Sequence, residues 1–353
     1  MKIAIIVNSL EKKGPVIVAI ELAKKLSAKF HNVDVIYLKN KDNAFKHHNI
    51  NYIKFSSQTF FSLYEYDIVH SHSLLPDMIN ALSCLYTWIK KKNVNRVSTI
   101  HNNIFSDLNN EYGFLKANIM KLAWSLSWTL IQNKVCISKS MLSSYDKLYL
   151  LKTGKWTYVY NTVERPMLSR TSVKDIKQID ILKKFKEQGK KIIGSCAVIT
   201  ERKGLQYLIN IASNLSDDYI VIIVGDGPYK HHLNQMINDN NLQNVILFHK
   251  TNEAHAYMKL IDIYVMPSIS EGFGLAAIEA IQSGCKLICS RINTFKELFG
   301  DNCLYFDLDN NSELIEAIAE ADAFNYTKLR EIVNEKFNPE QFVKGYLKAY
   351  LND

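Results

Sequence analysis

The chain has 353 residues, and at about 150 residues per domain that length calls for two cores and excludes a single small binding module. Hydrophobic residues make up 47% and charged residues 22%, ordinary soluble usage that excludes disorder or a fibrous repeat as a description of the whole. The formal charge of +8 is uneven, with 21 Lys/Arg against 11 Asp/Glu in residues 1–164 and 22 against 24 in residues 165–353; the basic half can meet anionic headgroups, phosphorylated substrates or nucleic acid.

Short β-branched runs alternate with helical patterns throughout, as parallel strands joined by crossover helices do. In the first half the spacing predicts strands over 3–7, 33–38, 67–70 and 96–100, helices over 16–28 and 78–89, and later strands over 134–137 and 156–160. A charged stretch, 174–191, reads as a linker plus helix. Strands follow over 192–198, 219–224, 245–248, 263–266, 287–290 and 303–306, with helices over 229–238, 275–282 and 312–321. The predicted architecture is α/β, with two Rossmann-like doubly wound domains, 1–164 and 165–338. A helix beginning at Pro339, with Phe342, Tyr346 and Tyr350 on one stripe, is expected to cross back over 339–353.

Cys84, Cys136, Cys196, Cys285, Cys289 and Cys303 show no CxxC pairing and read as reduced, buried thiols. The sequence opens on a strand rather than on a leader pattern, so a cytoplasmic protein is expected. No segment reaches the roughly 18 apolar residues of a spanning helix. The nearest approach, 122–133, contains Trp124 and Trp128 and is flanked by Lys116, Lys121 and Lys134. It fits an interfacial helix, peripheral on the inner face of a membrane, or a buried core helix; its apolar character nearly all round favours the core.

Open parallel sheets bind ligands at the carboxyl ends of their strands, where free N–H groups at helix starts attract anions. The richest strand-to-helix loop is Pro267-Ser268-Ile269-Ser270-Glu271-Gly272-Phe273-Gly274, running into Leu275 and Glu279. Gly272 and Gly274 let backbone approach a phosphate, and Glu271 and Glu279 can each accept two hydrogen bonds from a sugar diol. Elsewhere Glu201-Arg202-Lys203-Gly204, Gly225-Asp226-Gly227-Pro228, Tyr160-Asn161-Thr162-Val163-Glu164, Asp67-Ile68-Val69-His70-Ser71-His72 and Thr99-Ile100-His101-Asn102 sit at or beside strand ends. Alone, Arg202 and Lys203 would be a solvated helix start, Gly225 and Gly227 a tight turn, and His101 a structural histidine. His70 and His72 are expected to face opposite sides of their strand and to make a poor metal pair.

In this order the segments resemble the retaining glycosyltransferases of family 4, which have the GT-B fold of two Rossmann-like domains facing across a cleft. The resemblance spans nearly the whole chain and is strongest over 191–300. It implies that Glu279 holds the ribose of a nucleotide sugar, and Glu271 the hydroxyls of the transferred sugar. Backbone at Gly272, Phe273, Gly274 and Leu275 would meet the diphosphate, helped by Arg202 and Lys203, with Gly14, Gly225 and Gly227 completing the donor site and His101 near the sugar. Fixed cations and helix-end amides stabilise the charge gathering on a departing diphosphate, so no metal and no cofactor is expected. Departures from the pattern are Ser195-Cys196-Ala197-Val198, where the family carries an arginine, Gly14 as the one glycine of Lys12-Lys13-Gly14-Pro15, and Gly284-Cys285-Lys286 for Gly-Lys-Pro.

The resemblance therefore implies transfer of a sugar, with a UDP-sugar as the expected donor, to a saccharide or glycolipid acceptor; the basic first half and the Lys-flanked Trp124/Trp128 segment lead us to expect a polyprenyl-diphosphate-linked or other lipid-linked saccharide of a cell-surface glycan. An anionic membrane surface is an expected partner of the basic half. The competing readings are a GT-B sugar-nucleotide epimerase and, from other classes, an NAD-dependent oxidoreductase, which lacks its GxGxxG, and a nucleic-acid-binding protein, which lacks a recognisable module; nucleic acid is not expected as a partner.

Overall fold

Runs such as Ile3-Ala4-Ile5-Ile6 offer no polar side to either face and must be covered on both, which is the position of a central strand in a parallel sheet. The computed structural model, which describes the chain except residues 12, 31, 40–46, 48, 105–107, 109–112, 146–152, 164–171 and 352–353, puts all four there, fully buried. Two compact units form, residues 1–162 with 339–353, and residues 163–338. The expected boundary at 164/165, and Lys12 and Glu164 of the quoted motifs, lie outside the described residues.

The first unit is a seven-stranded parallel sheet of β1 (Lys2–Ser9), β2 (Asn32–Lys39), β3 (Asn51–Lys54), β4 (Ile68–His72), β5 (Asn95–Ile100), β6 (Asn133–Cys136) and β7 (Lys155–Tyr158), in the order β3-β2-β1-β4-β5-β6-β7. The second is a six-stranded parallel sheet of β8 (Lys191–Val198), β9 (Tyr219–Asp226), β10 (Val245–Phe248), β11 (Ile263–Met266), β12 (Lys286–Ser290) and β13 (Leu304–Phe306), ordered β10-β9-β8-β11-β12-β13. The strand order reverses between β1 and β4 in one and between β8 and β11 in the other. At such a switch the two connections depart to opposite sides and leave a crevice at the carboxyl ends.

Most of the charged stretch is helix, Val173–Glu187, begun by Ser172, whose hydroxyl accepts from the Asp175 N–H at 3.1 Å. The Pro339–Leu351 helix packs into the first unit through buried Phe342, Val343, Tyr346, Ala349 and Tyr350. Gly345 lets it approach β7's exit, since a Cβ there would lie 2.8 Å from Val159 Cγ1.

The first unit also buries charge. Asp77, on the Leu74–Ile89 helix and 1% exposed, accepts from Ser71 (2.6 Å), Ser98 (2.9 Å) and the indole N–H groups of Trp124 (2.7 Å) and Trp128 (3.2 Å). Arg96 is fully buried and donates to Asn80, Ser83 and Thr87. The tryptophans of the Phe114–Leu130 helix thus turn inward onto Asp77, as the buried-core alternative for this segment requires and the interfacial one does not. The outer side of that helix carries Phe114, Leu115, Ile119, Leu122, Leu126 and Leu130, all exposed. The Leu74–Ile89 helix, packed beside it, exposes Leu82, Leu85, Trp88 and Ile89 and runs into Lys90, Lys91 and Lys92.

Candidate active site

The loops after β8 and β11 leave the switch point of the second sheet, and they meet there. After β8 the chain makes a tight turn, Glu201–Lys203, closed by Gly204 at φ 65°. A Cβ on Gly204 would stand 1.7 Å from the Pro267 carbonyl oxygen, so only glycine lets this turn press on the loop after β11. A backbone hydrogen bond from Ile269 to Arg202 fastens the two loops at 2.9 Å.

That contact builds a charge cluster. Lys203 Nζ lies 2.5 Å from Glu271 Oε1 and Arg202 Nη1 3.6 Å from Oε2, while Arg202 also donates to the Ser270 carbonyl at 2.6 Å. Ser268 donates to Glu271 Oε1 at 2.9 Å, and Thr294 to the Glu271 carbonyl at 2.8 Å. The Glu271 side chain is 8% exposed. Burial pushes its carboxyl up, but the charges of Lys203 and Arg202 outweigh burial and hold it below its ordinary value, so Glu271 is ionised. Ser268, Ser270 and Thr294 are the parts that sequence reading did not assign; a hydroxyl three residues before the acidic residue is their one local sign.

Gly274, at φ 91°, starts the Leu275–Gln282 helix, and a Cβ on it would strike the Phe295 ring at 2.7 Å. Glu279 stands half-buried on the second turn of this helix, and Gly272 and Leu275 are also half-buried. The Phe273 side chain is buried edge-on against Phe337. Gly225 and Gly227 have a packing duty of their own: Cβ atoms there would stand 1.9 Å from Ala197 O and 2.2 Å from Ile199 O. In place of the expected arginine, β8 ends in Val198, 60% exposed.

The remaining candidates belong to the first unit. Gly14 opens the Gly14–Ser27 helix after β1, and a Cβ on it would meet nothing within 4 Å, so its face is open to an approaching group. His101 follows β5, half-buried, 2.8 Å from His72 through Nε2 and Nδ1. His70 and His72 do not face opposite sides: their rings lie 4.5 Å apart, because residues two apart on a strand share a face. His70 is engaged on both nitrogens, by Tyr350 OH at 2.8 Å and Thr99 Oγ1 at 2.7 Å. Among the described residues no group of three or more His, Cys, Asp or Glu side chains is arranged to hold a metal ion.

Two parallel-sheet Rossmann-like units are the architecture of the GT-B class of glycosyltransferase fold. Residues 177–336 match the family model for glycosyl transferases group 1 and residues 13–165 that for glycosyltransferase family 4. The chain belongs to this family and is a glycosyltransferase. It is 32% identical over 360 residues to the O-antigen biosynthesis glycosyltransferase WclY of Escherichia coli, covering 100% of this chain and 98% of that protein. It is also 25% identical over 185 residues to the N-acetylgalactosamine-N,N'-diacetylbacillosaminyl-diphospho-undecaprenol 4-alpha-N-acetylgalactosaminyltransferase of Campylobacter jejuni, covering 51% of this chain and 48% of that one. Among solved structures, Anabaena HepE in complex with UDP and glucose superposes with a TM-score of 0.81 at 16% identity over 100% of both chains, which bears on the fold.

Proposed function

We propose that the protein is a retaining hexosyltransferase. It moves a sugar from a UDP-sugar to a hydroxyl of a polyprenyl-diphosphate-linked saccharide, in assembly of an O-antigen-like surface glycan. The observation that carries this reading is the ionised Glu271 held between Lys203 and Arg202 at the entrance to the Leu275–Gln282 helix. A donor diphosphate entering there would exchange the lysine's carboxylate partner for phosphate oxygens. That exchange frees Glu271 for the sugar's hydroxyls, while the N–H groups of Phe273, Gly274 and Leu275 add the helix's positive end. As the glycosidic bond breaks, negative charge accumulates on the diphosphate, and two cations already fixed beside it favour the transition state over the ground state without a metal. Glu279 takes the ribose, and His101 is assigned to the sugar as the family resemblance implies. No carboxylate is proposed as a covalent nucleophile; the departing phosphate assists the acceptor hydroxyl on the same face.

The acceptor class draws on the name of the E. coli relative and on that of the C. jejuni one, which includes a diphospho-undecaprenol. It also draws on the exposed apolar side of the Phe114–Leu130 and Leu74–Ile89 helices beside Lys90, Lys91 and Lys92, a composition that suits an anionic membrane surface on which a lipid-linked acceptor would sit. The test is a thermal-shift panel of UDP-, GDP- and ADP-sugars on wild type and Glu279→Ala. A rise specific to UDP-sugars and lost in the variant is expected, and no rise with any sugar nucleotide would reject the donor site. NMR of the product should give the donor's anomeric configuration, and inversion would reject retention. Product formed without acceptor would indicate epimerisation instead.

A further inference from the structure

The histidines at the ends of β4 and β5 form a cluster that the roles above use only in part. His72 is 1% exposed; its Nδ1 is paired with His101 Nε2 at 2.8 Å, and its own Nε2 is buried with no hydrogen-bond partner among the described residues. The two rings stack with centroids 5.1 Å apart and planes 30° from parallel. Burial pushes the His101 imidazole down to about 3; burial, and then its histidine neighbours, hold His72 well below its ordinary value. Both rings are therefore neutral near pH 7, and one proton serves the bond between them.

That proton has two places to be. If His101 donates from Nε2, His72 accepts at Nδ1 and must carry its own proton on Nε2, leaving a buried N–H without an acceptor. If His72 donates from Nδ1, the unpartnered atom is only a lone pair, and His101 carries its proton on Nδ1. An orphaned buried N–H is the rarer and costlier state, so the second arrangement is favoured. His70 cannot take over the task, because Tyr350 and Thr99 occupy both its nitrogens.

We propose that His72 is a positioning residue: it donates to His101 and fixes that ring in the Nδ1–H tautomer, so that His101 offers a hydrogen-bond donor, and not an acceptor, to an oxygen of a ligand at the ends of β4 and β5. The tautomer stands on the histidine geometry alone; its use in transfer rests on the glycosyltransferase reading above.

The full chain labelled with ¹⁵N-histidine gives both ring nitrogens in long-range ¹H–¹⁵N spectra, with His101 assigned from His101→Ala. The expected spectrum has the His101 proton on Nδ1 in wild type and in His72→Asn, whose amide keeps the donor, and a tautomer mixture in His72→Phe. A proton on His101 Nε2 in wild type would overturn the proposal without any variant, as would an unchanged tautomer in His72→Phe. Release of UDP from UDP-glucose supplies the second readout. His72→Phe should lower kcat about tenfold, the factor carried by one hydrogen bond, with KM for UDP-glucose unchanged, and His72→Asn should recover most of the loss. Wild-type kcat in His72→Phe beside an inactive His101→Ala overturns the positioning role. Wild-type kcat in both variants removes His101 from the reaction, so that failure falls on the site reading while the tautomer result stands.

Discussion

Asp77 offers a measurement in which sign and size both follow from the structure. Burial raises its carboxyl from the ordinary range to about 7, against four donors that pull it down. Above pH 4 the unfolded chain has already released this proton while the folded chain keeps it, so Asp77's contribution to stability is greatest at low pH and is lost as pH rises through 7. A shift of about three units corresponds to about 4 kcal/mol. The imidazoles of His70 and His101, lowered to about 3 chiefly by desolvation, act in the opposite sense, since their contribution is lost as pH falls below their ordinary value. The difference between wild type and Asp77→Asn therefore isolates the carboxyl. Trp88, Trp124, Trp128 and Trp156 all lie in the first unit, so tryptophan fluorescence during urea unfolding reads that unit alone. From pH 5 to pH 8 the stability of wild type relative to Asp77→Asn should fall by about 2.5 kcal/mol, most of it before pH 7. Asp77→Ala should cost roughly 3 kcal/mol at pH 5, because the indole donors of Trp124 and Trp128 cannot swing to another acceptor, whereas Ser71 also reaches the Val97 carbonyl at 3.2 Å. A difference that stays flat, or that grows toward pH 8 as an ion-paired carboxylate would make it, refutes the reasoning.

Glu271→Gln should lower kcat about 10²- to 10³-fold while UDP binds no more weakly than to wild type, because Lys203 and Arg202 lose their carboxylate; calorimetry showing lost UDP binding at unchanged kcat would contradict this. Gly204→Ala should destabilise the second unit by roughly 2–4 kcal/mol, combining a left-handed conformation with a collision against Pro267, seen as an earlier urea midpoint by circular dichroism. Wild type should float with vesicles of anionic lipid, and Trp88→Ser with Leu85→Ser should reduce the bound fraction; recovery of all wild-type protein in the soluble fraction would remove the membrane from the proposal.

The strands were legible wherever the chain wrote an unbroken apolar run, since a parallel sheet covers both faces and leaves no alternation to mask the signal. β3 escaped for the converse reason: Asn51-Tyr52-Ile53-Lys54 is a half-exposed edge with polar ends. The Glu271 loop could be read locally, because its glycines and its helix start lie within a few residues of one another. Its union with Arg202 and Lys203 could not be derived from spacing, since it depends on β8 and β11 being sheet neighbours 65 or more residues apart in sequence. The inward turn of Trp124 and Trp128 was hidden likewise, its cause being a single carboxylate 47 and 51 residues away. The shared face of His70 and His72 needed only the strand's own period.

The first unit is interrupted: residues 163–338 form the other unit before Pro339–Leu351 returns to it. Tyr346 and Tyr350, which arrive with that helix, supply the hydroxyls that meet Thr99 and His70. During synthesis the contiguous second unit can close on itself as soon as its last strand and helices are made, whereas the sheet begun first must wait with an uncovered flank. The order of translation is thus the reverse of the order of completion, and a chain stopped at Asn338 would hold a finished second unit and a first unit whose histidine network lacks its tyrosines.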